Sequence, residues 1–293
     1  MKCFYHGTDL DGKCSGAIVK FKHSDTQLFP INYNDAFPFD RIVPGEDVYV
    51  VDFSLKPPEM IRLNRLAKLH WIDHHKTAIE AVQVTKEVIG GSRENGLAGC
   101  ELTWKYLFPN KGTPKVVTLL GRYDVWDKTH SDWEDEIVPF QLGIKTADCD
   151  PHNQEFWRSL FEPAVATSDN AYEPVSLDEM IGHIIDDGCV IQRYLDQTSK
   201  DRGKTASFEG TFLGKKAIFC NSTGGSRTFL GVYDKQKHDL MCTFSYTSDR
   251  QWYVSLFTES DTFDVSVLAK QMGGGGHQRA SGFIGKDLSF INS

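Results

Sequence analysis

The sequence predicts an α/β protein in two parts: a parallel-sheet N-terminal domain with helices on both faces, and a smaller α/β C-terminal domain. Three observations predict it. Short apolar runs alternate with segments of helical periodicity from residue 2 to about residue 123, a pattern that builds parallel sheets covered by helices. The run Asp47 to Phe53 (DVYVVDF) is almost unbroken in apolar residues, as a strand buried on both faces requires. Beyond a charged stretch, Lys200-Asp201-Arg202-Gly203-Lys204, the pattern changes to mostly strand-like runs.

The elements follow in order. Residues 2–6 (KCFYH) read as a short buried strand, followed by a turn at Asp9, Asp11 and Gly12, and Cys14 to Lys22 carries apolar residues at helical spacing. Gln27 to Tyr33 reads as a second strand and Asp47 to Phe53 as a third. Pro57 and Pro58 open a helix, since proline is tolerated in a first turn, and Met60, Ile61, Leu63, Leu66 and Ala67 form its apolar face. Leu69 to Ile72 is the next strand and ends at Asp73-His74-His75. Leu97 to Phe108 and Lys115 to Tyr123 read as helices. Residues 128–175 are irregular, with Pro139, Pro151, Pro163 and Pro174, and Leu177 to about Lys200 reads as one long helix. After a linker at 200–204 come strand-like runs at 205–213, 215–220, 239–247 and 251–258 and helix-like runs at 226–232 and 264–272. The expected division is a first domain over 1–175, a connecting helix and linker over 176–203, and a smaller second domain over 204–293.

Composition narrows the function. The 293 residues are 40% apolar and 25% charged, as in an ordinary globular protein. No apolar run approaches the roughly 20 residues that span a bilayer, and the run Cys3-Phe4-Tyr5 is too short for a signal peptide's apolar region. The seven cysteines are scattered without a CxxC pair, which argues against a disulfide framework or zinc ribbon and fits a reducing cytoplasm. The net charge of −8 argues against a groove for long duplex nucleic acid. From Lys204 onward ten Lys and Arg face eight Asp and Glu, whereas the preceding residues hold 22 against 32. An acidic front part suits cation binding, and a mildly basic back part suits a small phosphorylated substrate.

The chemistry-bearing residues cluster at expected strand ends. In open α/β sheets ligands bind beyond the carboxyl ends of the strands. The first strand delivers His6, Asp9 and Asp11, the third delivers Asp52, and the fourth delivers Asp73, His74 and His75; Gly121-Arg122-Tyr123-Asp124 adds a carboxylate after a helical run. Parallel strands would bring these groups to one rim. Mixed carboxylate and imidazole donors suit Mn²⁺, Fe²⁺ or Zn²⁺, and so many carboxylates together would repel one another without cations.

The ordered set HGTDLDG (6–12), VVDFS (50–54), IDHH (72–75) and GRYD (121–124) resembles the four motifs of the DHH phosphoesterase superfamily. Gly273-Gly274-Gly275-Gly276-His277, followed by Ala280 and Gly282, resembles the GGGGHxxAxG motif of the C-terminal domain associated with one branch, the nanoRNase or oligoribonuclease-like one. The resemblance implies a two-metal centre, with Mn²⁺ first and Mg²⁺, Fe²⁺ or Co²⁺ as alternatives. His6 and Asp9 would hold one ion, and Asp11, His74 and Asp124 the other, with Asp52 bridging. His75 would face the substrate, and Asp73 would orient the histidines. Gly274, Gly275, Gly276, His277, Arg279 and Arg122 would contact the substrate, the resemblance making 1–175 the catalytic domain and 204–293 the substrate-binding domain, with the active site in the cleft between them.

Two departures qualify the match. The first motif is spaced His6-x-x-Asp9-x-Asp11, where many relatives insert one more residue. The stretch Val254-Ser255-Leu256-Phe257-Thr258 lacks an arginine that many relatives carry there. Arg122, Arg227 and Arg250 are other sources of positive charge. Phe257 is either a base-stacking ring or a core aromatic.

The expected function is metal-dependent hydrolysis of short oligonucleotides or dinucleotides. Phosphatase action on 3'-phosphoadenosine 5'-phosphate and a catalytically inactive nucleotide-binding protein are the alternatives. The expected partners are a short oligonucleotide or nucleotide, with no long duplex and no membrane, and a homodimer is the assembly considered.

Overall fold

The computed structural model describes residues 1–33, 35–162 and 176–291. They form two compact units, Met1–Ile191 and Gln192–Ser293. Pro163 and Pro174 lie outside the described residues. Among the described residues, no helix is long and apolar enough to cross a membrane.

The first unit is built on a five-stranded sheet: β1 (Lys2–His6), β2 (Gln27–Ile31), β3 (Asp47–Val51), β4 (Lys68–Asp73) and β5 (Gly90–Arg93), in the order β2-β1-β3-β4-β5. Every pairing is parallel. The apolar run that predicts a doubly buried strand is β3, whose Val48 and Val50 face one core and whose Tyr49 and Val51 face the other. Connecting α1 (Leu10–Lys22), α4 (Gly99–Leu107), α5 (Lys115–Asp124) and α7 (Gln154–Phe161) supply one layer, through residues such as Ile18, Trp104, Val117 and Trp157. The other layer is α2 (Pro57–Leu66) and α3 (Lys76–Gln83), through Met60, Leu63, Ile79 and Val82. The sheet with helices on both faces is therefore as the sequence predicts.

Local sequence sets the ends of these elements. Asp9 caps α1, its Oδ1 accepting from the Gly12 N–H at 2.9 Å, which satisfies one of the helix's orphan donors. Gly12 lets α1 turn back tightly against β1. A Cβ there would collide with the His6 carbonyl oxygen and stand 2.7 Å from the His6 Cβ. Gly12→Ala is expected to destabilise the protein by about 3 kcal/mol or more, because the clash is with backbone that cannot give way, and chemical denaturation will read it. Pro57 and Pro58 do open α2, at its first two positions.

Several elements differ from expectation. The sequence marks neither α3 nor β5; β5 reads Gly-Gly-Ser-Arg, with no apolar residue to reveal it. Residues 128–175 contain a π-helical turn (Trp133–Ile137), α6 (Val138–Gly143) and α7, with Pro139 accommodated at the start of α6. The stretch that reads as a linker is helical: α8 runs from Leu177 to Ala206, and the boundary between the two units falls inside it. Lysine and arginine are good helix formers, so a charged run need not end a helix. Residues 226–232 form only a short 3₁₀ turn, Ser226–Phe229.

The second unit has a six-stranded sheet of β6 (Ser207–Phe212), β7 (Lys215–Asn221), β8 (Leu240–Tyr246), β9 (Trp252–Phe257), β10 (Gly275–Gly276) and β11 (Ala280–Gly285). Its order is β10-β11-β9-β8-β7-β6, with only β7 and β8 parallel. α9 (Val265–Gln271) covers one face, burying Val265, Leu268 and Ala269 against Phe212, Phe219, Leu256 and Phe283.

Candidate metal centre

β1 is the strand at which the chain order reverses, with β2 on one side and β3 on the other. Ligands in open α/β sheets bind at such a switch point. The carboxyl ends of β1 and β3 carry His6 and Asp52 there, and the adjacent β4 carries Asp73, His74 and His75.

Two triads of candidate ligands form. His6, Asp9 and Asp52 make one, and Asp11, His74 and Asp124 the other; within each triad one ligand atom per residue lies within 4.8 Å of the others. Asp52 joins them: its Oδ2 is 3.8 Å from His6 Nδ1 and its Oδ1 is 3.2 Å from His74 Nε2. His74 Nε2 is also 3.7 Å from Asp11 Oδ2 and 3.4 Å from Asp124 Oδ2. Six residues from four separate motifs thus share one rim.

These residues fit divalent cations. His6 Nδ1 lies 2.6 Å from Asp9 Oδ2, yet no hydrogen bond of acceptable geometry satisfies it, and Asp52 Oδ1 is also buried without a partner. Burial, then the neighbouring Asp11, push the Asp52 carboxyl well above the ordinary carboxylate range; Asp9 and Asp124 add to this, and the nearby His6 opposes it. Asp124 is raised for the same leading reasons, burial and Asp11. Burial alone would lower the His6 imidazole, but Asp52 and Asp9 outweigh it and raise it to about 9. Carboxylates that resist ionisation together, beside orphaned donor atoms, are the electrostatic signature of a site that cations neutralise.

The backbone is committed to the same arrangement. Asp52 has φ +50°, a left-handed conformation that few non-glycine residues adopt and that concentrates at functional sites. Gly99 and Cys100, at the start of α4, donate their N–H groups to the two Asp11 carboxylate oxygens at 2.7 Å each, so a helix N-terminus holds this carboxylate. Gly99 must lack a side chain, since a Cβ would stand 2.6 Å from the Asp52 Cβ and 3.0 Å from Asp11 Oδ2.

No protein-family model matches the chain. Over 298 residues the chain is 25% identical to the oligoribonuclease NrnB of Bacillus subtilis (strain 168), covering 95% of this chain and 71% of NrnB. Over 275 residues it is 26% identical to an uncharacterized protein of Acanthamoeba polyphaga mimivirus, covering 90% of this chain and 58% of that relative's length. Among solved structures, the DHH domain of a member of a ribosomal-protein family superposes with a TM-score of 0.53 at 14% identity, covering 97% of this chain and 82% of that one. The chain has the fold of that DHH domain. The same fold recurs in PggH, a pGpG-specific phosphodiesterase of Vibrio cholerae, with a TM-score of 0.52 at 12% identity, over 97% of this chain and 92% of PggH.

The DHH motif itself divides its labour. A third grouping, Asp52, Asp73, His74 and His75, also falls within 4.8 Å, but the Asp73 oxygens are already taken. Its Oδ1 accepts from the His74 N–H at 2.8 Å and sits 2.7 Å from His75 Nδ1, and its Oδ2 accepts from the Ser54 hydroxyl. Asp73 is fully buried. Burial would raise its carboxyl, yet His75, then Ser54 and His74, hold it below the ordinary range. Asp73 is thus an ionised anchor for both histidines, and Ser54 anchors Asp73 in turn. In the sequence Ser54 is only the last letter of VVDFS.

The other positions singled out in the sequence fall as follows. Arg122 is bound to Glu101, lies 3.5 Å from Asp127 and donates to the Gly96 carbonyl at 3.2 Å; Glu101 in turn accepts from the Ala98 N–H that precedes α4. Arg122 thereby ties the α5 end carrying Asp124 to the α4 start that holds Asp11. In the second unit, Gly274 donates its N–H to the Ala269 carbonyl and so closes α9, while Gly275 and Gly276 pair with Gly282 and Ser281. His277 N–H bonds the Ala280 carbonyl in the tight turn between β10 and β11, and Arg279 pairs with Asp261. The GGGGH run is thus a helix stop leading into an edge strand. Arg227 is tied to Asp196. Phe257 packs beside Ile218, Phe229 and Met241, which is the core-aromatic reading.

Proposed function

We propose that this DHH-superfamily chain is a divalent-metal-dependent phosphodiesterase that hydrolyses short oligonucleotides or dinucleotides. The observation that carries the reading is the pair of ligand triads joined through Asp52 at the switch point of the sheet. The similarity to NrnB, whose name is oligoribonuclease, supports the substrate class.

In this reading His6 and Asp9 would hold one ion and Asp11, His74 and Asp124 the other, with Asp52 placed to serve both. A carboxylate suits that position because its two oxygens offer separate lone pairs, whereas an imidazole nitrogen offers one. Two divalent ions held there would lower the pKa of water and neutralise phosphate charge; Mn²⁺ would be the first choice for mixed oxygen and nitrogen donors. Ser54 fixes Asp73, and Asp73 fixes the His75 ring through Nδ1, so His75 handles protons at Nε2. There it binds the phosphate or protonates the leaving oxygen. Arg122 positions the α4 and α5 ends rather than meeting substrate directly. His277, with Gly274–Gly276 and Arg279, supplies substrate contacts from the second unit. The Arg279–Asp261 pair is exposed and therefore worth little in water, so a substrate anion can compete for the arginine.

The deciding experiment strips the protein with chelator, restores Mn²⁺ and presents a 5'-phosphorylated dinucleotide, a 5-mer RNA, a cyclic dinucleotide, 3'-phosphoadenosine 5'-phosphate and pyrophosphate. Metal-dependent cleavage of the dinucleotide and the 5-mer is expected. Cleavage of 3'-phosphoadenosine 5'-phosphate alone, or of nothing, overturns the proposal. His277→Ala is expected to raise KM for the dinucleotide about tenfold, the loss of one hydrogen bond to a charged group, with kcat nearly unchanged. Steady-state kinetics separate the two parameters.

A further inference from the structure

The metal centre has a lip that no motif announces. Tyr33, two residues past the end of β2, keeps 56% of its surface exposed although it sits among site residues. Its ring centroid is 5.6 Å from His6 and 6.2 Å from His75, edge-on to both, and 4.8 Å from Phe53. Phe53 follows the bridging Asp52 directly and is 2% exposed. One side of the tyrosine ring is therefore backed by a ring fixed in the core, and the remainder faces solvent beside the histidine assigned to the phosphate. The ring offers a flat apolar surface within one nucleotide's reach of the ligands. Trp126, two residues past Asp124, is the competing candidate. It is 39% exposed with φ +57°, but Tyr123 and Trp133 pack edge-on against it and the Lys128 ammonium lies 4.9 Å from its ring centroid. Its ring is occupied; the larger exposed surface is that of Tyr33.

We infer that Tyr33 is the stacking platform for the nucleobase next to the scissile phosphate, making this a site for nucleotides rather than for phosphoesters in general. Stacking is tolerant of base identity because every base has a π-face. The platform therefore selects nucleotide over base-free phosphate without reading sequence, and favours purines through their larger rings. The inference rests on reading the two triads as a phosphoester site and adds the class of group held beside it.

The test is equilibrium binding to the Mn²⁺-loaded full chain, by calorimetry, of AMP and of ribose 5-phosphate, which differ only in the base. Wild-type protein is expected to bind AMP more tightly by roughly 5- to 150-fold, the range that base–aromatic stacking supplies. Tyr33→Leu should bring AMP down to the level of ribose 5-phosphate and leave ribose 5-phosphate itself unmoved, whereas Tyr33→Phe and Tyr33→Trp should keep the preference. Equal binding of the two ligands by wild type overturns the inference, as does a Tyr33→Leu variant that weakens both equally or a Tyr33→Phe variant as impaired as Tyr33→Leu. Binding needs no turnover, so a protein that prefers AMP through Tyr33 yet cleaves no phosphodiester would sink the proposed function and leave the platform standing.

Discussion

Asp52→Asn is expected to lower kcat by on the order of 10³-fold or more, the several kcal/mol that a two-metal site contributes to its transition state. The carboxylate links the two triads, with one oxygen toward His6 and the other toward His74. An amide oxygen carries no charge, and the amide nitrogen cannot ligate. Asparagine accepts the left-handed backbone at this position as readily as aspartate does, so lost activity will not reflect a lost fold. Kinetics with circular dichroism on the same preparation check both halves. A variant retaining a tenth of wild-type turnover would rule out the bridging role.

The same residue sets a pH dependence. Asp52 and Asp124 have folded-state carboxyls above their unfolded values. They bind more protons in the native state, so the stability they contribute is lost as pH rises past the ordinary Asp range. His6 acts in the same direction: its contribution is complete below about 6.5 and is lost as pH rises through about 9. Asp9 and Asp73 are lowered and act oppositely, losing their contribution as pH falls toward and below the ordinary Asp value. Chelator-treated protein should therefore melt at lower temperature at pH 9 than at pH 6. With Mn²⁺ that loss should shrink or reverse, because metal ligands must be deprotonated. Melting curves across pH, with and without metal, read both; identical slopes would count against a cation at these residues.

His75→Ala is expected to cut kcat by roughly 10²- to 10⁴-fold, the usual loss of a general acid, while both metals remain bound. The distinction from Asp52 is geometric. His75 lies outside both triads, its Nδ1 bound to Asp73 and its ring edge-on to Tyr33. Its effect should shrink with a substrate carrying a good leaving group, such as a nitrophenyl ester, since such an oxygen needs no proton. An undiminished loss on that substrate would place His75 among the metal ligands instead.

Much of this was legible in the sequence because motif order and strand ends carry it. The doubly buried DVYVVDF run placed Asp52, and the alternation of strands and helices placed His6 and His74 beside it. The less visible parts depend on contacts across the chain. Asp11 is held by the N–H groups of Gly99 and Cys100, 88 and 89 residues away, and backbone donors leave no mark in composition. Ser54 acts through a buried carboxylate 19 residues on. Arg122 looks like an anion binder in sequence, but Glu101, a polar residue within an apolar helix, claims it in the fold. β5 is hidden because an edge strand of Gly-Gly-Ser-Arg buries too little to show a pattern. The charged run at 200–204 resembles a linker because solvent-facing helix and linker share a composition.

The most direct test is metal stoichiometry by mass spectrometry of the Mn²⁺-saturated protein after removal of excess ion. Two ions per chain are expected in wild type, one in Asp9→Ala, one in Asp124→Ala, and fewer than one in Asp52→Asn. A single ion in wild type, or two retained in Asp52→Asn, would contradict a two-metal centre bridged by Asp52.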